Sequence, residues 1–304
     1  MRERRALREP AEGGVLLTCR ALESGRPARG LTRALRAGGW GRLQAGAWAE
    51  PGREADLFVR LRAVQLLNPR LVVSHRSAAA LWRIETLAPA TEVPLEFIDP
   101  ALTFRGKARG VRVRRAHLDR GDTALRHGLR LTSPARTLAD LLRSLSRDDA
   151  LVALESGVSH RRVGQVRRAP LTSLDTVGAA LALPGQGAAR ARRRLGWCDP
   201  RAGSRAETVA RLRMTDAALR PESQVELITP AGRRVVLDFL FRREGPAVEI
   251  EGYAYHGTRE AHRRDISRFN QVLQCPEVRG LLRFTAQDVV RGGGRSPSAP
   301  LPHS

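Results

Sequence analysis

Apolar residues recur at helical or alternating spacing in separate runs along the chain. VLLTCRALESG predicts a short helix ending at Gly25. PARGLTRALRAGG predicts a second, with Leu31, Ala34 and Leu35 inward and Gly38 and Gly39 as the stop. GRLQAGAWAEPG alternates about a glycine and predicts a small hairpin. Helical spacing returns between 53 and 83. ADLFVRLRAVQLL runs to Asn68-Pro69, and Ser74 stands as the cap of HRSAAALW. EVPLEFID and GVRVRRAHL predict strands, the second with Val111 and Val113 on one face and Arg112 and Arg114 on the other. LTSPARTLADLLRSL carries the clearest helical stripe: Ser133 as cap, Pro134 in the first turn, then Leu138, Leu141, Leu142 and Leu145.

The last third changes character. GSRAETVARLRM opens a helix, RVVLDFLF predicts a strand, RREGP a turn and AVEIEGY the returning strand. TREAHRRDISRFNQVL is amphipathic, and GLLRFTAQDVV predicts a strand running into a short helix. The expected order is helix, β-hairpin, helix, strand, helix.

Charge sharpens this division. The 304 residues hold 53 Lys+Arg against 31 Asp+Glu, a formal net charge of +22. Residues 59–203 contribute 26 bases against 12 acids. Such a balance points to a polyanion as partner and excludes an ordinary acidic enzyme. Only one of the bases is a lysine, Lys107. Seven Phe, four Trp and two Tyr are few for modules built on base-stacking platforms, so phosphate contact to duplex DNA is the better expectation. Cys19, Cys198 and Cys275 lie too far apart for a zinc motif or a disulfide framework. The Arg-rich start lacks the apolar segment of a signal peptide, and no apolar run is long enough to span a bilayer; a cytoplasmic protein without membrane contact is expected.

The fold class expected is α/β multidomain. It comprises a disordered tail over 1–14, a winged helix-turn-helix over 15–58 and a central α+β region over 59–185. A basic linker over 186–203, a restriction-endonuclease-like α/β domain over 204–292 and a tail over 293–304 follow. In the winged-helix reading Arg29, Arg33 and Arg36 face phosphates or base edges.

The candidate chemistry lies in the last third. Asp238 sits within an almost wholly apolar strand, and Glu249 and Glu251 share a face of the next. A hairpin can bring the three acids together. Burying clustered carboxylates is costly unless a hard cation such as Mg²⁺ (or Mn²⁺) joins them. Ser204 and Glu207 have capping-box spacing, so Glu207 reads either as the cap or as a ligand on the helix.

D-x(10)-E-x-E-G-Y-x-Y-H, followed by RRD-x-x-R-x-N and LLRFTAQDV, resembles the very-short-patch-repair-type endonuclease domains of the PD-(D/E)xK superfamily over about residues 200–291. The resemblance implies a metal-bound catalytic group at Asp238, Glu249 and Glu251, with Glu207 as a further metal ligand and His256 near the scissile phosphate. Glu251 stands where Asp is usual, and Pro276 falls in the customary helix-to-strand link. The superfamily's lysine has no counterpart, and arginine stays protonated, so Glu251 or His256 is left to orient or deprotonate the water. Arg263, Arg264 and Arg268 are expected to grip the DNA backbone. Residues 15–160 resemble the winged-helix and following region of AbiEi-type antitoxins, through GLTRALRAGGWGRLQAGAWA, VVSHRSAAALW and GLRLTSPARTLADLL. That resemblance implies DNA binding and transcriptional autoregulation with no chemistry; as an antitoxin, the chain would have a nucleotidyltransferase toxin as its partner. Its characteristic Ser74, His75, Arg136, Thr137 and Asp140 read as a helix cap and a polar tie. The leading expectation is a DNA-binding protein with a metal-dependent endonuclease-like domain. The alternative is a non-enzymatic winged-helix regulator or antitoxin with a degenerate nuclease domain.

Overall fold

The computed structural model describes residues 11–103, 110–163, 166–182, 184–251 and 259–291. The chain is an α/β protein in two compact units, Met1–Ser144 with Asp175–Ala188, and Leu145–Leu174 with Ala189–Ser304. Residues 145–174, expected in the central region, group with the C-terminal sheet instead. No described helix is long and apolar enough to cross a membrane.

The first unit begins with β1 (Val15–Leu17), α1 (Thr18–Glu23), α2 (Leu31–Ala37), β2 (Gly41–Gln44) and β3 (Ala47–Ala49). Its three strands pair in the order β1-β3-β2. VLL, expected to open a helix, is a strand because all three residues are buried and pair with Ala47–Ala49. Its alternation serves two cores. Leu16 packs with Ala21, Leu31, Leu35, Trp40 and Trp48, while Val15 and Leu17 pack with Val59 and Ala63 of α3 (Leu57–Leu67). Asp56 caps α3 by accepting from the Val59 N–H at 2.8 Å.

The same unit continues with β4 (Val72–Val73), α4 (His75–Trp82), β5 (Leu95–Asp99), β6 (Val111–Arg115), β7 (Thr123–Arg126), β8 (Leu129–Thr132) and α5 (Pro134–Ser144). The five strands form one mixed sheet in the order β6-β5-β4-β8-β7. Leu61, Val73, Leu95, Phe97, Leu129 and Leu131 build its core. Ser74 occupies the N-cap position of α4 but makes no side-chain cap bond. The carboxylate of Glu96 accepts from the Arg76 N–H instead, at 2.9 Å, and the Ser74 hydroxyl faces His75 Nδ1 at 2.9 Å. Burial first, then the charges of Arg114 and Arg136, push His75 down to about 3, so its ring is neutral. Arg136 donates to Asp140 at 3.1 Å and to Asp122 at 2.7 Å, and Thr132 and Thr137 hydroxyls meet at 2.6 Å. The polar tie expected at these residues is present.

The second unit contains α6 (Arg147–Val158), the hairpin β9 (Arg161–Val163) and β10 (Val166–Arg168), α7 (Ala188–Leu195) and α8 (Arg205–Asp216). The segment expected to be a basic linker is therefore partly helical: Ala188 and Ala191 are buried, which anchors α7. Four strands follow as a sheet ordered β11-β12-β13-β14. They are β11 (Glu222–Ile228), β12 (Arg234–Leu240), β13 (Pro246–Glu251) and β14 (Gly280–Thr285), with α9 (Arg259–Leu273) between the last two and α10 (Ala286–Arg291) at the end. The first three strands are antiparallel and β14 joins β13 in parallel. Val225, Leu227, Leu237, Leu240, Ala247 and Val272 fill the core under this sheet. β11 was not expected from the sequence, so the predicted hairpin is the centre of a wider sheet. The Pro276 region lies between α9 and β14 without breaking the crossover: Val278 N–H donates to the Cys275 carbonyl at 2.9 Å.

Candidate functional site

Three carboxylates of the second unit come together, and the strands explain why. The β11–β12 register runs Ser223↔Phe239 and Val225↔Leu237, passing over Gln224 and Asp238 between them. Gln224 has φ +50°, in the left-handed region that a non-glycine residue rarely occupies. On the other side, β12 and β13 pair only at Phe239↔Val248 and Leu240↔Ala247. Asp238 thus sits at a one-residue break in the β11–β12 ladder and at the end of the β12–β13 ladder. Its side chain replaces the missing bonds, with Oδ2 accepting from the Ile250 N–H at 2.8 Å and Oδ1 from Gln224 Nε2 at 3.2 Å.

Glu207 approaches from α8. Ser204 caps this helix as expected, its hydroxyl accepting from the Glu207 N–H at 3.2 Å. The return bond differs from a capping box. Glu207 Oε2 accepts from the N–H of Gly203, at 2.7 Å, rather than from Ser204. Gly203 permits this approach, because a Cβ there would lie 3.1 Å from Glu207 Oε1. The same Oε2 accepts from Gln224 Nε2 at 2.8 Å, so one amide group bridges Glu207 and Asp238. Cap and site are served by one carboxylate. Gln224, missed by sequence reasoning, is the residue that joins the two acids. Its only prior signal is a polar residue just before the alternating Val225 and Leu227.

Glu249 is buried on β13. Arg268 of α9 grips it with two bonds, at 2.6 and 2.8 Å, and donates also to the Val236 carbonyl at 2.8 Å. Arg268, expected to grip a DNA backbone, directs these donors at Glu249 and a carbonyl while its side chain stays 42% exposed. Glu251, at the end of β13, is paired with Arg283 of β14. Asp238 is pushed up to about 7, by burial first and by the charge of Glu207 next, then Glu249; the Ile250 N–H and Arg268 act the other way. Near neutral pH the Asp238 carboxyl is therefore partly protonated, chiefly because burial penalises its charge.

Arg263 is exposed on α9. Arg268 lines a cavity of about 450 Å³ with Arg233, Arg234 and Gln271. Arg29, Arg33 and Arg36 are exposed on and before α2. His256, and the side chain of Arg264, lie outside the described residues. Among the described residues no cluster of three or more His, Cys, Asp or Glu side chains has the arrangement of a metal site.

No family model matches the chain. It is 28% identical over 262 residues to two uncharacterized proteins of Mycobacterium tuberculosis, MT2308 of strain CDC 1551 / Oshkosh and Rv2248 of strain ATCC 25618 / H37Rv. The match covers 85% of this chain and 90% of each relative. The crystal structure of RV2827C protein from M. tuberculosis superposes with a TM-score of 0.44 and 20% identity, over 75% of this chain and 88% of that one.

The donors are of the type a hard cation takes, without the arrangement of a metal site among the described residues. Glu207 and Asp238 present hard oxygen donors on either side of one amide, and a half-turn of the Gln224 amide would add a third oxygen. Glu249 is already neutralised by Arg268 and would need to exchange partners to join.

Proposed function

We propose that the protein binds DNA and that its second unit is a metal-dependent endonuclease-like domain acting on phosphodiesters. The carrying observation is the pairing of Glu207 and Asp238 through Gln224, with burial and the charges of Glu207 and Glu249 raising the Asp238 carboxyl to about 7. Mg²⁺ or Mn²⁺ bound there would polarise a phosphate oxygen and lower the pKa of an attacking water. Glu207 and Asp238 would hold the ion, and Gln224 would fix the separation of the two carboxylates. Arg268 would keep Glu249 oriented beside them, and the Ile250 N–H would hold the second oxygen of Asp238. Arg263, Arg233 and Arg234 supply cationic surface of the kind a phosphate backbone needs. In the first unit, the β1-β3-β2 sheet flanked by α1 and α2 is consistent with a winged helix-turn-helix, with Arg29, Arg33 and Arg36 toward DNA.

A second reading is favoured by one observation, the two-bond grip of Arg268 on Glu249. It withdraws an acid from metal binding and suits a regulator or antitoxin whose nuclease-like domain only binds DNA. Incubating the full chain with supercoiled and linear duplex, with Mg²⁺, Mn²⁺ or EDTA, separates the two. Metal-dependent cleavage abolished by Asp238→Asn supports the nuclease. Retained DNA binding with no cleavage under any metal favours the regulator.

A further inference from the structure

A second surface of the same unit uses none of the carboxylates above. Trp197 follows α7 by half a turn, its N–H donating to the Arg194 carbonyl at 3.0 Å. It is 51% exposed, an uncommon position for so large an apolar side chain, whereas Trp40 and Trp48 are buried. The Trp48 and Trp82 indole N–H groups donate to Thr18 Oγ1 and the Thr132 carbonyl. That of Trp197 meets no acceptor among the described residues.

The ring is held rather than loose. The guanidinium carbon of Arg147 lies 5.8 Å from its centroid, and Arg147 is itself fixed by Asp216 at 2.5 and 2.6 Å and by Asp148 at 2.7 Å. Trp197 lines a cavity of about 520 Å³ together with Arg147, Arg201, Arg211, Asp199 and Asp216. That volume falls within the roughly 300–1,000 Å³ of cavities that take a small organic ligand. Cys198 lines it too, and burial with the charge of Glu155 pushes its thiol up.

The cations that line the cavity are matched by carboxylates, Arg147 by Asp216 and Asp148 and Arg201 by Asp199, and the exposed cationic run leads to it along α7. Arg190, Arg193 and Arg194 precede Trp197 at three- and four-residue spacing, and Arg190, Arg192 and Arg193 are exposed. Arg194 is lowered by partial burial and then by the charges of Arg190 and Arg147. A row of crowded arginines leading to an open indole calls for a ligand with anions on a chain and a flat ring between them. Inside a duplex each base has its faces covered by its neighbours; an unpaired base has one to offer. We infer that Trp197 and the arginines of α7 bind an unpaired nucleotide within a nucleic-acid strand, the base against the indole and the flanking phosphates on Arg190 and Arg193. Few aromatics in the chain argue against a domain made of stacking platforms, and one ring suffices here.

The test uses the full chain in EDTA with fluorescein-labelled oligothymidylate, the matching duplex and AMP. Single-strand binding should quench tryptophan emission, and the quench should be lost in Trp197→Ala, which separates Trp197 from the buried Trp40 and Trp48 and the half-buried Trp82. Trp197→Ala should weaken single-strand binding about fivefold to hundredfold, as for other stacked bases, and leave duplex binding unchanged. Trp197→Phe should keep most of the affinity, and Arg190→Gln with Arg193→Gln should lower the salt slope by about 0.7 for each phosphate no longer neutralised. Single-strand binding equal to wild type in Trp197→Ala, equal losses for single strand and duplex, or competition by AMP at oligonucleotide concentrations would each overturn the inference. Asp238→Asn should bind the single strand normally, so an inactive carboxylate site leaves this result untouched.

Discussion

Replacing Asp238 by Asn tests the carboxylate cluster without any metal or substrate. The side chain keeps its shape and an oxygen for the Ile250 N–H, but loses the charge that burial, Glu207 and Glu249 oppose. The folded-state value of about 7 lies above the ordinary 3.8. The folded chain therefore holds the proton more tightly between those values, and stability is lost as pH rises through that window. At 1.36 kcal/mol per pH unit the ceiling is roughly 4 kcal/mol, reached above pH 7. For a unit of about 150 residues each kcal/mol moves the melting temperature by about 2–4 °C. Calorimetry in EDTA should show Asn and wild type nearly equal at pH 4.5, with the variant melting higher by several degrees, up to about 8 °C or more, at pH 8. Adding Mg²⁺ at pH 8 should then raise wild type and leave the variant almost unmoved. A variant that melts no higher than wild type at pH 8, or by the same margin at both pH values, would refute the crowding of charge at Asp238.

Glu207→Gln keeps an oxygen for the Gly203 N–H, so the melting temperature in EDTA at pH 8 should not fall. The Mg²⁺-induced rise should shrink, by about 1.4 kcal/mol for a tenfold weaker site; an unchanged rise leaves Glu207 a cap alone. Arg211→Ala leaves Glu155, fully buried and bonded also to Thr208 Oγ1 at 2.6 Å and the Asp199 N–H at 2.9 Å, without its cation. Urea unfolding should show a loss of about 3–5 kcal/mol. Burial already raises Glu155, so the loss should grow with pH, and a loss below about 1 kcal/mol would contradict the pairing. Arg136→Ala should cost the first unit a similar amount by stranding buried Asp140, measured the same way. Duplex affinity should fall with salt by about 0.9 log units per log unit for each phosphate neutralised. A flat dependence would remove the DNA partner.

Regular local patterns were readable in the chain, and pairings between distant segments were not. Leu237 and Phe239 alternate with Asp238 so plainly that β12 and its acid stand out, and Pro134 with its leucine stripe marks α5 as clearly. Ser204 and Glu207 announced the start of α8. β11 was lost because its first three residues, Glu222, Ser223 and Gln224, are polar, and its pairing with β12 is a tertiary fact. The partners of the acids were hidden for the same reason. Arg268 looks like one more outward base on an amphipathic helix until the fold brings Glu249 to it. Gln224 gains its role only from a backbone angle of +50°, which no spacing rule encodes for a glutamine. α7 was read as a charge run because its arginines outnumber Ala188 and Ala191, the two small residues that anchor it.

The two units are interleaved along the chain, with Leu145–Leu174 in one and Asp175–Ala188 returned to the other. This fixes the order in which a ribosome can finish them. The first unit is incomplete until residue 188 has emerged. The buried Glu155 of α6 leaves the exit tunnel about 50 residues before Thr208 and Arg211, the groups that satisfy it, and must stay hydrated until they arrive. A fragment cut to begin at residue 204, the boundary that composition suggests, would carry Arg211 and Thr208 facing the space that Glu155 fills. A cut at residue 204 therefore strands Glu155, whereas residues 145–174 co-expressed with 189–304 keep the Asp199 N–H, Thr208 and Arg211 together with it.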